Sequence, residues 1–143
     1  MTDQQIEQEI QAKGLTAPRI TLDDIEANIA AEWYFTAWEG AQFAFWRDLA
    51  MAEPQMSMSN APEDAPDGSL DAFAEGEPDK DGPLSLLTFC VLVLKNGFTV
   101  TGESACASPK NFDAEIGRKI ARANAVNKVW PLMGYELRSK LAG

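Results

Sequence analysis

No histidine occurs among the 143 residues. The side chain that most often exchanges protons near neutral pH is therefore missing. Neither a Ser-His-Asp nor a Cys-His nucleophilic arrangement can be assembled. Cysteine is scarce too: two residues, Cys90 and Cys106, are too few for a disulfide scaffold and have no histidine to join them around zinc. These shortages point to a protein that is not an enzyme, has no metal or cofactor, and works in a reducing, cytoplasmic setting. No apolar run approaches the roughly 18–20 residues of a membrane span. The opening stretch Met1–Ile10 is polar and acidic, unlike a secretory signal, so no membrane association is expected.

Positive charge is nearly absent from the first part of the chain. Residues 1–83 hold four basic and eighteen acidic groups, a net of −14, whereas residues 84–143 hold eight basic and four acidic groups, a net of +4. The two parts return the whole-chain charge of −10. Such a division can mark an acidic element beside an anion-binding surface, or a solvated acidic insert that keeps the protein soluble.

Hydrophobic residues make up 45% of the chain, enough for one core in a chain of this length. A single domain over 1–143 is expected, with 20–37 and 84–142 as its folded core. Asp3 to Lys13 reads as a short polar helix stopped by Gly14. Thr21 followed by Asp24 forms a capping-box pattern ahead of Leu22, Ile25 and Ile29, which predicts a helix from about Leu22 to Glu32. Trp33 to Leu49 carries seven aromatics. They are read as core or subunit interface rather than a base-stacking platform, so direct nucleic-acid binding is not expected. Tyr34 to Ala37 reads as the start of a strand broken at Gly40. Residues 52–83 contain Pro54, Pro62, Pro66, Pro78 and Pro83 among Ser, Asp, Glu and Gly, with no apolar period. They read as an acidic, disordered inserted linker.

The C-terminal part is the most patterned. Apolar Leu86 to Leu94, then Asn96-Gly97, then Phe98 to Ser104 predict a β-hairpin (about 86–104) closed by a two-residue type I′ turn. That turn sets Val93 opposite Val100 and Phe89 opposite Ser104. Phe89, Val91, Val93, Phe98 and Val100 then share one face, and Cys90 and Cys106 fall on opposite faces. Ser108-Pro109 resembles a helix start. Phe112, Ile116, Ile120 and Ala123 give an apolar stripe, and Pro131 ends or kinks the helix before a last short one over Leu132 to Leu141. The fold class is α+β: a small antiparallel sheet containing the hairpin, a C-terminal helical pair packed on it, and an N-terminal helix.

Arg118 and Arg122 are four apart on one helix face and could grip a diphosphate through forked, charge-assisted hydrogen bonds. Asn96 and Phe98 at the hairpin tip could add an amide and a stacking ring. These four are the candidate ligand-binding residues. The ordinary alternative pairs Arg118 with Glu115, leaves Arg122 solvated and puts Phe98 in the core. Gly117 in mid-helix costs about 1 kcal/mol relative to Ala, which suggests that something approaches its backbone closely, most simply the hairpin face. Magnesium at Glu103, Asp113 and Glu115 is less well founded than solvated carboxylates at a helix start.

The string Leu87 to Ser104, with Ser108-Pro109, Asn111-Phe112, Gly117-Arg118-Lys119-Ile120-Ala121, Trp130-Pro131-Leu132 and Gly134-Tyr135, resembles the tailed-phage family named after gene 49 of coliphage N4 and gene 66 of a Shigella phage. The resemblance is dense over 86–141 and weaker over 20–37. It implies a phage or prophage accessory protein of the host cytoplasm, without an activity attached. The hairpin-then-helix plan and the paired arginines are also distantly similar to Thoeris anti-defence sponge proteins, which sequester a cyclic ADP-ribose signal. That likeness implies a binding module for a cyclic nucleotide-type small molecule. The competing expectation is a structural or protein-interaction protein that meets a host or phage protein through the aromatic segment and acidic loop; a homo-oligomer is a further expectation. Mimicry of nucleic acid by the acidic region is a variant of the protein-interaction reading.

Overall fold

The computed structural model describes residues 2–52 and 75–143. The elements run α1 (Asp3–Ala12), α2 (Leu22–Ala27), β1 (Ile29–Thr36), α3 (Ala37–Ala52), a 3-10 turn (Pro83–Leu86), β2 (Leu87–Leu94), β3 (Thr99–Ala105), a second 3-10 turn (Pro109–Asn111) and α4 (Ala114–Leu141). The strands form one antiparallel sheet in the order β1-β2-β3. The architecture is α+β, with α4 lying across one face of the sheet.

Local chemistry explains most boundaries. Thr21 and Asp24 cap α2 reciprocally, each side chain accepting from the other's backbone N–H. α2 stops at Ala27, with Asn28 as its C-cap, well short of Glu32. From Ile29 the chain is extended, because β-branched and aromatic residues there find a partner strand. Gly40 does not break the next segment: it sits inside α3. The expected linker 52–83 lies largely outside the described residues. Its last part packs on α3, with Trp38 Nε1 donating to the Pro78 carbonyl at 3.2 Å and Gln42 Nε2 to Glu77 at 2.8 Å.

The hairpin is present, but its turn differs from the expected one. Leu94 and Phe98 close it, the Leu94 N–H donating to the Phe98 carbonyl at 2.8 Å around the loop Lys95-Asn96-Gly97. Gly97 takes φ +88°, and no non-glycine residue among those described has positive φ. Asn96 therefore cannot supply half of a type I′ turn. The loop is the three-residue kind, a type I turn followed by a left-handed glycine. One extra loop residue slips the register by one: Leu92 faces Val100 and Phe89 faces Glu103. A slip of one puts Val100 on the face of Leu92 instead of that of Phe89, Val91 and Val93. The buried set is thus Thr88, Cys90, Leu92, Leu94 and Val100, not Phe89, Val91 and Val93. Cys106 lies past the end of β3, its N–H donating to the Leu86 carbonyl and its thiol to the Ser108 carbonyl at 3.2 Å. Four strand residues of about 3.3 Å separate Cys106 from Cys90, near 13 Å, beyond disulfide reach. Both thiols are free.

α4 is one helix of 28 residues that continues through Pro131, in place of a helical pair. It starts at Ala114 with Asp113 as N-cap, not at Pro109. Its buried face is Gly117, Ala121, Ala125, Val126 and Val129. Ile116 and Ile120, expected in the stripe, are 56% and 46% exposed. The reason is distance between backbones. A Cβ on Gly102 of β3 would lie 2.1 Å from the Ala121 carbonyl oxygen, and one on Gly117 would lie 3.1 Å from Thr88 Oγ1. Only small residues permit such an approach, as the mid-helix glycine suggested. Full burial of Ile25, Leu92 and Val129 supplies much of the core energy, at about 1.5–3 kcal/mol for each side chain.

Candidate functional site

The four candidate ligand residues do not converge. Arg122 projects from α4 into a carboxylate pair. Its Nη1 and Nη2 bond both oxygens of Glu26 at 3.0 and 2.7 Å, and its Nε and Nη2 bond Glu32 at 2.9 and 2.7 Å. Four of the five guanidinium N–H groups can be satisfied in this way. The clamp joins α2, β1 and α4 across 90 and 96 residues of sequence. Bonding to Arg122 above all holds the Glu32 carboxyl below the usual carboxylate range, and the two glutamates raise the guanidinium further. Tyr34 donates its hydroxyl to the remaining Glu32 oxygen at 2.8 Å. Burial, then this bond, pushes the Tyr34 phenol up, and burial pushes up the neighbouring Cys90 thiol. A protonated, buried thiol is a core residue rather than a nucleophile.

Arg118 lies one turn earlier, exposed, with no ion pair among the described residues. Lys119, not Arg118, pairs with Glu115, at 3.3 Å. Asn96 folds its side chain back to accept from the Phe98 N–H at 2.9 Å, and Phe98 is 55% exposed rather than buried. Asn96 borders a shallow hollow of about 500 Å³ shared with Met133, Glu136 and Lys140 at the far end of α4. At 1.5 Å per helical residue, Met133 is roughly 16 Å beyond Arg122 and 22 Å beyond Arg118. The arginines and the hairpin tip thus stand apart. Asn124 donates to the Glu103 carbonyl of β3 at 2.8 Å and ties this edge strand to the helix.

A second surface is brought together by the register slip. Odd-numbered residues of β2, and of β1 beyond its bulge between Ile29 and Ala31, lie on the face opposite the buried core. Trp33 stands opposite Val91, and Phe35 opposite Phe89, their rings 5.7 Å apart and tilted by 33°. Val93 and Thr101 continue the face. Trp33 is 65% exposed. α4 packs on the other face; α3 leaves from the end of β1, packs beside the 3-10 turn Pro83–Leu86 and also touches β1 and β2. α3 presents Phe43 and Trp46 outward, three residues apart and therefore on one side of the helix. Reading the hairpin with a two-residue loop put Phe98 and Val100 on the face of these valines, whereas the observed register places Val100 with Leu92 on the other.

Residues 20–141 match the model of the Phage protein (N4 Gp49/phage Sf6 gene 66) family. The chain belongs to this family. The N4 Gp49/Sf6 gene 66 match spans α2, the whole sheet, the Arg122 clamp and nearly all of α4, while α1 and Arg19 precede it. The weaker likeness noted over 20–37 is therefore part of the same family unit. No curated protein and no solved structure matches this member of the N4 Gp49/Sf6 gene 66 family. Among its described residues, no helix is long and apolar enough to cross a membrane.

Proposed function

We propose that this phage protein is a non-catalytic docking module, and that the aromatic face of its sheet receives a protein partner. The observation carrying this reading is the exposure of Trp33, at 65%, beside the Phe35–Phe89 pair, on a sheet whose other face meets α4 at backbone contact along β3. Contiguous exposed apolar area of this kind marks interaction sites. Aromatic residues are enriched at the centres of interfaces, where charge is depleted. Trp33, Phe35, Phe89, Val91 and Val93 carry none.

Sequestration of a cyclic nucleotide-type signal has less support. Arg122 is committed to Glu26 and Glu32, and Asn96 and Phe98 are remote from it. A phosphate would have to displace two carboxylates from one guanidinium.

Site-specific photo-crosslinking tests the docking reading. A photoreactive residue at Thr101, on the open face, should give one discrete protein adduct in phage-infected cells. The same residue at Lys119, exposed on the outer side of α4, should give none. Equal labelling from both positions, or none from Thr101, would remove the reading. Calorimetry with cyclic nucleotides and cyclic ADP-ribose isomers addresses the other: heat of binding abolished by Arg118→Ala would restore it.

A further inference from the structure

α1 is the least committed element of the described fold. A capping box between Thr2 and Gln5 starts it, but none of its residues is buried. Its apolar side chains Ile6 and Ile10 are one turn apart and face Ile20, Leu22, Asn127 and Trp130, which belong to the family unit. The contact is underfilled. A cavity of about 270 Å³ remains between these two walls, and Ile6 is still 42% exposed. What orients α1 is polar: Glu7 accepts from both terminal nitrogens of Arg19 at 2.6 and 2.7 Å. Such a forked pair fixes direction and register more than it stabilises, because it lies at the surface. The connection from Lys13 to Pro18 is exposed and turns at Gly14, with φ +66°.

We propose that the groove between α2 and α4 is a helix-docking site for a protein partner, and that α1 is its displaceable intramolecular occupant. The present occupant defines the chemistry of the partner. It is an amphipathic helix with two apolar residues one turn apart and a carboxylate directly after the first, placed to meet Arg19. Residues larger than isoleucine at the two apolar positions fill the space that Ile6 and Ile10 leave open. Grooves that accept amphipathic helices read anchors at this spacing. An intramolecular competitor lowers the apparent affinity of any partner until it is displaced. This site is separate from the sheet face and does not depend on the reading given above.

The test uses the full chain and a fluorescent synthetic peptide copying residues 2–13 with Ile6→Phe and Ile10→Phe. In the Glu7→Gln chain α1 is loosened while Arg19 stays available. The peptide should bind this variant about three- to fivefold more tightly than the wild type, as expected when a surface pair no longer holds a tethered competitor in place. Hydrogen exchange over residues 3–12 should speed up in the same variant. Arg19→Ala also loosens α1 but removes the partner's anchor, so peptide affinity should fall about three- to fivefold below that of Glu7→Gln. Equal binding to all three chains, no binding to any, or unchanged exchange of α1 in Glu7→Gln would overturn the proposal.

Discussion

On one side of the sheet, Cys90, Leu92, Leu94 and Val100 are buried beneath α4, and Gly102 meets the backbone of Ala121 and Ala125 so closely that no side chain fits between them. On the other side, Trp33, Phe35, Phe89, Val91 and Val93 are as apolar but half-buried or exposed. The two faces share strands, length and hydrophobicity. They differ in what covers them: one is packed closely by α4 through a row of small residues, and on the other Trp33 stays 65% exposed. Small residues on α4 and β3 specify the intramolecular interface. Large aromatics on β1 and β2 suit an intermolecular one, where broad, rigid side chains supply area at low entropy cost.

The largest contrast is expected at Gly102. Gly102→Ala places its Cβ against the Ala121 carbonyl and the Ala125 nitrogen, fixed backbone atoms that cannot rotate away. The loss should reach or exceed the upper end of the roughly 1–3 kcal/mol typical of overpacking. Urea unfolding would register it as loss of the cooperative transition. A native-like midpoint would mean that α4 does not approach the sheet this closely.

Next comes the Arg122 clamp. Arg122→Ala leaves Glu26 and Glu32 facing each other on the covered side, at a cost of about 1–2 kcal/mol, between an exposed pair and a buried one. The pH dependence carries the sign. The Glu32 carboxyl is held below its ordinary value in the folded chain, so its contribution is full above the ordinary carboxylate range and is lost as pH falls through the depressed value. Thermal denaturation from pH 7 to pH 3 should therefore show a steeper acid loss in wild type than in Arg122→Ala. Parallel curves would disconnect the clamp from stability.

A smaller difference separates the two thiols. Cys90 is buried and Cys106 only partly so. A maleimide reagent should label Cys106 well before Cys90 under native conditions, and both together once the chain is unfolded. Equal native rates would argue that the α4-covered face is not closed.

The sequence carried the hairpin, the α2 cap, the close approach at Gly117 and the α+β class, because each rests on local chemistry. It could not carry the choice of face. Phe89 to Leu94 is apolar at every position, so alternation does not say which set is inside, and the decision fell to a turn whose Asn-Gly pair suits two loop lengths. The helix stripe failed for a related reason. Large residues at Ile116 and Ile120 outweighed Gly117, Ala121 and Ala125 in a hydrophobic reading, although the latter row, spaced by four, is what permits backbone contact. Pro131 is tolerated because only one helical N–H is lost in a 28-residue helix. The arginines were placed correctly on α4, but their partners Glu26 and Glu32 lie too far along the chain for spacing to reveal.

The smallest effect on stability and the largest on function should meet in one variant. Trp33→Ser combined with Phe35→Ser removes aromatic surface that α4 does not touch. Surface changes of this kind usually stay within about 0.5 kcal/mol each. The direct measurement is recovery of the Thr101-crosslinked partner from phage-infected cells with the wild type and with this double variant, alongside their melting temperatures. The account predicts loss of the adduct at an almost unchanged melting temperature. Retention of the adduct by a folded double variant would contradict it.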